Sequence, residues 1–374
     1  MRPEEPKRPS KKLRRNNVFA VSKKDYKNGN NFVRLIGLLA ILLVCGSLAY
    51  FAHAYFSAMN SVQQAYRGTG KISQLISQKK PISILILGVD QGIEGRHDRG
   101  NSDTMILVTM NPQKKEATMT SIPRDLLADI KGDGSGKGQY YMFRINSAYQ
   151  VGGSKGAIRT VKEFLNIPVN YYMEVNMKTL ESMVEALGGV EVNVPFTFTY
   201  NTHFKKGKQH LNGKEALDYV RMRKEDPKGD YGRQMRQRQV INGIVHKGMS
   251  VNTITNYRKI LKILAKYVKT NLTFDDMLSI AMNYRGCTQN IKSGYIQGHN
   301  VWFGAAAMQV ASTKELQRVS DLIRSSLGLK QEKLHNQETR QNSLQRGLNW
   351  NDPEDFRNYV IYDKDSDTIP WDGN

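Results

Sequence analysis

Pro81-Ile82-Ser83-Ile84-Leu85-Ile86-Leu87-Gly88-Val89-Asp90 is a short apolar run, rich in branched residues, that ends on a glycine and a carboxylate. Its length and composition predict a buried strand. Residues 104–110 predict a second strand, and the turn Asn111-Pro112-Gln113-Lys114 leads into a third at 116–122. Further strands are expected at 171–175 and 190–194. Helical spacing occurs at about 154–166, 177–187, 213–219, 231–247, 254–269, 274–283 and 312–327. The glycine-rich segment 129–140 reads as a loop. Strands mixed with helices, opening on a hairpin, predict an α/β (or α+β) domain with a mixed sheet flanked by helices.

Upstream of this domain, residues 35–56 contain no Asp, Glu, Lys or Arg. About 20 such residues cross a bilayer as a helix that satisfies its own backbone. The preceding segment is rich in Lys and Arg, which marks the cytoplasmic side. The expected organisation is a basic cytoplasmic tail (1–31), a single transmembrane helix (32–57), a stalk (58–80), the main domain outside the cell (81–250), a helical part packed on it (251–330) and a disordered acidic tail (331–374). A cleaved secretory signal is the rival reading, with Ala52-His53-Ala54 as its site. The apolar run is about twice the length of a signal core, which favours an uncleaved anchor in the cell membrane.

The formal charge is +21 and there are two cysteines. Cys45 lies in the expected span and Cys287 alone outside it, so the outer domain has no internal disulfide. A basic outer surface attracts polyanions. The topology keeps it away from intracellular DNA, residues 1–31 show no helix-turn-helix pattern, and no nucleic acid partner is expected. The scattered histidines and remote cysteines give no zinc spacing. No G-x-S-x-G elbow or dinucleotide fingerprint is present, and Gly136-Lys137-Gly138 lacks the Ser or Thr of a P-loop. Asp363-Lys364-Asp365-Ser366-Asp367 lacks the Gly and Glu that complete a calcium loop.

Two constellations remain. If the first two strands pair antiparallel, Asp90 and Asp103 sit side by side at one sheet end. If Met110 pairs near Lys115, Ile122 falls opposite Asp103 and Arg124 emerges at the same end. Paired carboxylates suit a hard cation such as magnesium, which keeps waters and takes phosphate oxygens; alternatively they cap strand ends and pair with local Arg. The second constellation is Tyr219-Val220-Arg221-Met222-Arg223 followed by the Gly229–Gln239 run. In an extended segment Arg221 and Arg223 share a face. On the following helix Arg233 and Gln237 share another, which continues into Ile241 and Ile244. Arg residues at a helix N-terminus make an anion site, because their forks match phosphate oxygens and the helix dipole adds to them. The plainer reading is a solvated basic helix.

As a set these residues resemble the LytR-CpsA-Psr family of bacterial envelope phosphotransferases, most closely its LytR branch from Gram-positive bacteria. The landmarks are Leu87-Gly88-Val89-Asp90, Ser102-Asp103-Thr104-Met105, Ser121-Ile122-Pro123-Arg124-Asp125, Ile145-Asn146-Ser147-Ala148-Tyr149 with Gly152-Gly153, Gly188-Gly189-Val190, Leu211-Asn212-Gly213-Lys214-Glu215-Ala216-Leu217, and the Arg221–Gln239 run. The resemblance implies transfer of a polyprenyl-pyrophosphate-linked glycopolymer, teichoic acid or capsular polysaccharide, onto peptidoglycan. Asp90, Asp103 and Arg124 would be catalytic, with Asp90 and Asp103 holding Mg2+ (or Mn2+). Arg124, Arg221, Arg223, Arg233 and Gln237 would bind the pyrophosphate, and Asp230 would organise the arginines. Arg144 stands where the family often has Lys. Asn101 replaces an Arg that many members carry, with Arg96 and Arg99 nearby. The lipid tail of the donor requires an apolar slot between sheet and helices. A non-catalytic receptor for anionic wall polymers and a transcriptional regulator or attenuator are the competing readings.

Overall fold

The computed structural model describes residues 73–89, 100–132, 141–249, 268–352 and 356–362, with positions 56, 260, 263, 264, 266, 267, 370 and 371 besides. Elements are numbered along the chain. β1 (Ile82–Val89) pairs antiparallel with β2 (Ser102–Asn111), and β2 with β3 (Glu116–Ser121). β6 (Tyr171–Val175) joins β1 in parallel, β11 (Lys269–Thr270) flanks β6, and β12 (Ile291–Tyr295) joins β3 in parallel. The result is a six-stranded mixed sheet of order β11-β6-β1-β2-β3-β12. This is the mixed α/β architecture expected from the strand and helix pattern.

Alternation along β1 sends its side chains to two faces. Leu85, Leu87 and Val89 join Met105 and Leu107 in a core closed by α2 (Ser147–Leu165) and α7 (Thr313–Ser326). Ile82, Ile84 and Ile86 face the other way, toward α5 (Gly229–Gly248) and α6 (Phe274–Asn283). A third core packs α5 and α4 (Gly213–Arg221) against β7 (Val190–Val194) and the strands β8 (Phe198–Tyr200), β9 (Thr202–Phe204) and β10 (Gly207–Leu211). Helix starts are set locally by reciprocal capping boxes. Asn176 and Thr179 open α3 (Met177–Ala186), Asn212 and Glu215 open α4, and Thr273 and Asp276 open α6.

Several boundaries differ from expectation. β4 (Leu127–Ile130) and β5 (Tyr141–Arg144) form a hairpin, so Asp129 and Ile130 belong to a strand and not to the expected loop. Ser73 and Ile76, placed in the stalk by sequence, pack on the domain. Ile76 lies fully buried at α1 (Gln74–Ser77), and the Ser73 N–H donates to Asp276 at 3.0 Å. The part 251–330 is not only helical. β12 completes the main sheet, and β13 (His299–Phe303) with β14 (Ala306–Val310) forms a second one.

The largest correction concerns 331–362, while 353–355 and most of 363–374 lie outside the described residues. Leu334 enters the main core, and α8 (Gln337–Leu344) buries Glu338, Gln341 and Asn342. β15 (Arg357–Asn358) extends the β13–β14 sheet, and Tyr359 and Ile361 are buried after it. Polar composition suggested disorder, but these Gln and Asn side chains bond backbone groups: Gln341 serves Tyr362, and Asn342 serves Ala311. The expected span at 35–56 lies outside the described residues except for Phe56, and so does most of the helix expected at 254–269. Among the described residues no helix is long and apolar enough to cross a membrane.

Candidate active site

The first constellation forms at the end of β2. The register of β1 and β2 shifts between Gly88 and Val89, since Gly88 pairs with Thr104 but Val89 with Ser102. Asp103 is the extra residue of that bulge, a device that re-aims a side chain at a sheet end. Gly88 is required there, because a Cβ would come within 2.7 Å of Thr104. Between β2 and β3 the register is two residues off the expected one, with Met110 opposite Ala117 and not Lys115. A two-residue slip preserves the faces. Carried past Ser121, it brings Arg124, in place of Ile122, level with Asp103. Arg124 accordingly bonds Asp103 at 2.8 Å. Asp90 lies outside the described residues, so the expected carboxylate pair is represented here by Asp103 alone. Among the described residues no group of three or more His, Cys, Asp or Glu is placed to hold a metal.

Asp125 ties the next arginine in. Its carboxylate lies 3.5 Å from Arg124 Nε and 3.2 Å from Arg144 Nε, and Arg144 also donates to the Ala307 carbonyl at 3.0 Å. Burial works to lower the Arg124 pKa. The bond and charge of Asp103, then the charges of Asp125 and Asp230, outweigh it and raise the pKa above its ordinary value. Asp230 therefore acts electrostatically on Arg124, which links the sheet end to the start of α5.

There Asp230 holds Arg233 at 2.6 Å and accepts from Gln234 at 2.8 Å, with Arg223 at 3.9 Å. One turn on, Gln237 donates to Thr104 Oγ1 at 3.0 Å. Asp230 thus stands within ion-pair reach of both Arg223 and Arg233. The expected extended Tyr219–Arg223 segment is instead a helix end: Arg221 is the last residue of α4, and it is exposed, as is Arg223. The Nε–H of Arg233 is buried without a hydrogen bond, and those of Arg124 and Arg144 lie beside the Asp125 carboxylate without an aligned one. Arginine donors whose hydrogen bonds are incomplete fit a ligand rich in anionic oxygens.

The polar rim opens on an apolar cavity of about 250 Å³, in which Gly88, Val89, Thr104 and Gln237 meet Ile86, Met173, Met183, Ile241 and Val245. A second cavity of about 290 Å³ shares the walls Ile86, Met173, Met183 and Ile241, and reaches Ile84 and Val108. The α5 face that begins with Arg233 and Gln237 supplies Ile241, Ile244 and Val245 to this wall. Sequence periodicity had marked that transition from polar to apolar, but not the space beside it.

Other residues gained no role from sequence. Asp125 sits within a quoted landmark, yet its bridging position depends on β5 folding back beside it. Arg236 and Arg238 belonged to the same charge run as Arg233 but are both buried. Arg236 is fully enclosed and bonds Asp226, the Tyr219 carbonyl (2.9 Å) and the Met222 carbonyl, so it fixes the link between α4 and α5.

A mixed sheet whose end gathers a carboxylate and arginines beside an apolar cavity gives this α/β domain its candidate site. The LytR_cpsA_psr family model matches residues 49–325, and the chain belongs to that family. It is 39% identical over 303 residues to a polyisoprenyl-teichoic acid–peptidoglycan teichoic acid transferase, TagU, of Enterococcus faecalis, a match covering 80% of this chain and 98% of that relative. The crystal structure of Bacillus subtilis TagU superposes with a TM-score of 0.54 at 40% identity, covering 67% of this chain and 99% of that one. A structure of TagT bound to LIIa-WTA superposes with a TM-score of 0.57 at 28% identity, covering 71% and 98%.

Proposed function

We propose that this chain transfers an anionic glycopolymer from a polyprenyl pyrophosphate carrier to peptidoglycan. The observation that carries the proposal is the junction at Thr104 and Gln237. There Thr104, next in sequence to the Asp103–Arg124 pair, and Gln237, one helical turn from the Asp230–Arg233 pair, line a cavity walled by Ile, Val and Met. A pyrophosphate joined to an isoprenoid tail has the same two-part character. The names of the TagU relatives, and of TagT bound to LIIa-WTA, support teichoic acid as the polymer class. An acceptor hydroxyl would attack the polymer-side phosphorus, forming a phosphoester and breaking the anhydride bond, with polyprenyl phosphate leaving. The hydroxyl proton would pass to a carboxylate, Asp90 or Asp103. Arg124, Arg144 and Arg233 would orient the phosphate oxygens and neutralise the charge spread over them. Exposed Arg221 and Arg223 would meet the outer phosphate or the polymer.

Mg2+ (or Mn2+) belongs to the same proposal. The Asp103 side chain is 40% exposed with one oxygen committed to Arg124, which leaves a carboxylate oxygen for an ion that needs only one or two protein ligands. Asp103, with Asp90, would hold the ion, which would supply further neutralisation of phosphate charge. The apolar run at 35–56 would anchor the chain in the membrane, with the tail 1–31 inside. The site would then stand outside, at the leaflet where a lipid-linked donor presents its pyrophosphate.

The test is transfer from a polyprenyl-pyrophosphate glycan to a peptidoglycan oligomer by the full chain in detergent. Arg124→Ala should lower the rate about 10²–10³-fold, the scale of removing one preorganised charge-stabilising donor. Asp103→Ala should do the same, and chelation of divalent metal should abolish wild-type transfer. Equal transfer by all three proteins would refute the site. Polymer binding without transfer by the wild type would favour the receptor reading.

A further inference from the structure

Arg238 follows Gln237 on α5 and is only 6% exposed. Its Nε donates to Ser293 Oγ at 2.9 Å and a terminal nitrogen donates to Ser121 Oγ at 2.5 Å, with the guanidinium 5.9 Å from the Tyr295 ring centroid. Among the described residues no Asp or Glu forms an ion pair with it. The contrast is with Arg236, two residues earlier and also buried, whose charge is met by Asp226. Two serine hydroxyls satisfy donors but neutralise nothing. Burial pulls the Arg238 pKa down to about 10, which still leaves it cationic at neutral pH. A buried charge without a counter-charge costs stability, and an apolar side chain of similar volume would fit the interior better.

Its position suggests what retains it. Ser121 pairs with Ile106, and Thr104 lies two residues further along the same face of β2. From strand spacing and rise, Ser121 and Thr104 are roughly 8 Å apart. Thr104 is the partner of Gln237 at the cavity mouth, and the chain beyond Ser121 leads through Ile122 and Pro123 to Arg124. The Arg238 charge is therefore set behind the anion site, inside the protein, where salt screens it little.

We propose that Arg238 is a positioning charge for the donor's diphosphate: held by Ser121 and Ser293 behind the Arg124 end of the sheet, it strengthens diphosphate binding without touching the ligand. The proposal rests on the transferase reading above. A unit charge about 10 Å from an anion at the effective dielectric of a protein is worth about tenfold in affinity.

The experiment compares three ligands with one isoprenoid tail, as pyrophosphate, monophosphate and alcohol, binding to the full chain in detergent. Arg238→Met should weaken pyrophosphate binding about tenfold and monophosphate binding less. Alcohol binding should stay unchanged, and Tm should hold or rise. Arg238→Lys should recover most of the pyrophosphate affinity. Equal weakening of all three ligands would make Arg238 part of the cavity wall and overturn the proposal. So would unaltered pyrophosphate binding, or loss of affinity in step with a falling Tm in both Arg238→Met and Arg238→Gln. Failure of the transferase reading looks different: the wild type itself would then bind the pyrophosphate no better than the alcohol.

Discussion

The two faces of the central sheet are lined by alternate residues of the same strands, yet one is filled and the other is not. On one face Leu85 and Leu87 are fully buried and packed by α2 and α7, with Leu334 of the C-terminal segment completing the core. On the other, Ile84 and Ile86 border the two cavities beneath α5. Both faces have the hydrophobic content to pack at interior density. The open face is lined by Met173, Met177 and Met183, against Met105 alone in the core of the filled face, and such unbranched side chains tolerate more than one arrangement. The filled face holds the sheet together, while the open one ends at the Arg124 and Asp230 cluster. The close-packed core and the candidate site are thus divided between the faces of one β-sheet.

Substitutions should divide in the same way. The largest stability loss is expected at Arg236→Ala, which leaves Asp226 buried without its partner and should cost about 4 kcal/mol. Denaturant unfolding measures it, and a loss below about 1 kcal/mol would show that Arg236 does not lock the α4–α5 link. Next, Leu85→Ala on the filled face should cost about 3 kcal/mol through the cavity it creates. Its neighbour Ile86→Trp, on the open face, should leave Tm nearly unchanged but raise KM for a lipid-linked donor about tenfold or more by occupying the slot. Should Ile86→Trp destabilise the protein as much as Leu85→Ala, the distinction between the faces would fall.

Much of this arrangement was legible in the sequence. The hairpin opening on β1, the helices at 177–187 and 274–283, and the convergence of Asp103 with Arg124 all follow from local pattern and chain reversal. The register was not readable to the residue. The turn keeps Lys115 in a left-handed conformation (φ 50°) before β3 begins, and the bulge at Asp103 depends on Gly88 meeting Thr104. The Arg221–Gln239 run exposed five arginines to one interpretation, whereas folding separates them by helix face. Arg233 reaches Asp230, Arg236 and Arg238 are buried, and Arg221 and Arg223 are exposed. A charge pattern carries no information about which faces meet a sheet. The C-terminal segment was misread because a Gln- and Asn-rich composition looks the same whether its amides face water or bond backbone carbonyls.

That segment offers the smallest and most selective test of the filled face. Glu338 on α8 accepts the Asp129 N–H at 2.8 Å, beside the Asp129–Lys131 ion pair at 2.7 Å. Burial pushes its carboxyl up to about 7; the Asp129 charge adds to this, and the Asp129 N–H bond and Lys131 oppose it. The folded carboxyl therefore keeps its proton to higher pH than the unfolded one. Its contribution to stability is complete below the ordinary carboxylate range and is lost as pH rises through about 7. Over that window the loss should be at most about 3 kcal/mol. Glu338→Gln retains an oxygen for the Asp129 N–H but cannot ionise, so its Tm should fall less than that of the wild type between pH 5 and 8. Parallel Tm profiles would mean that Glu338 faces water in solution, and that α8 does not close the edge of the packed face.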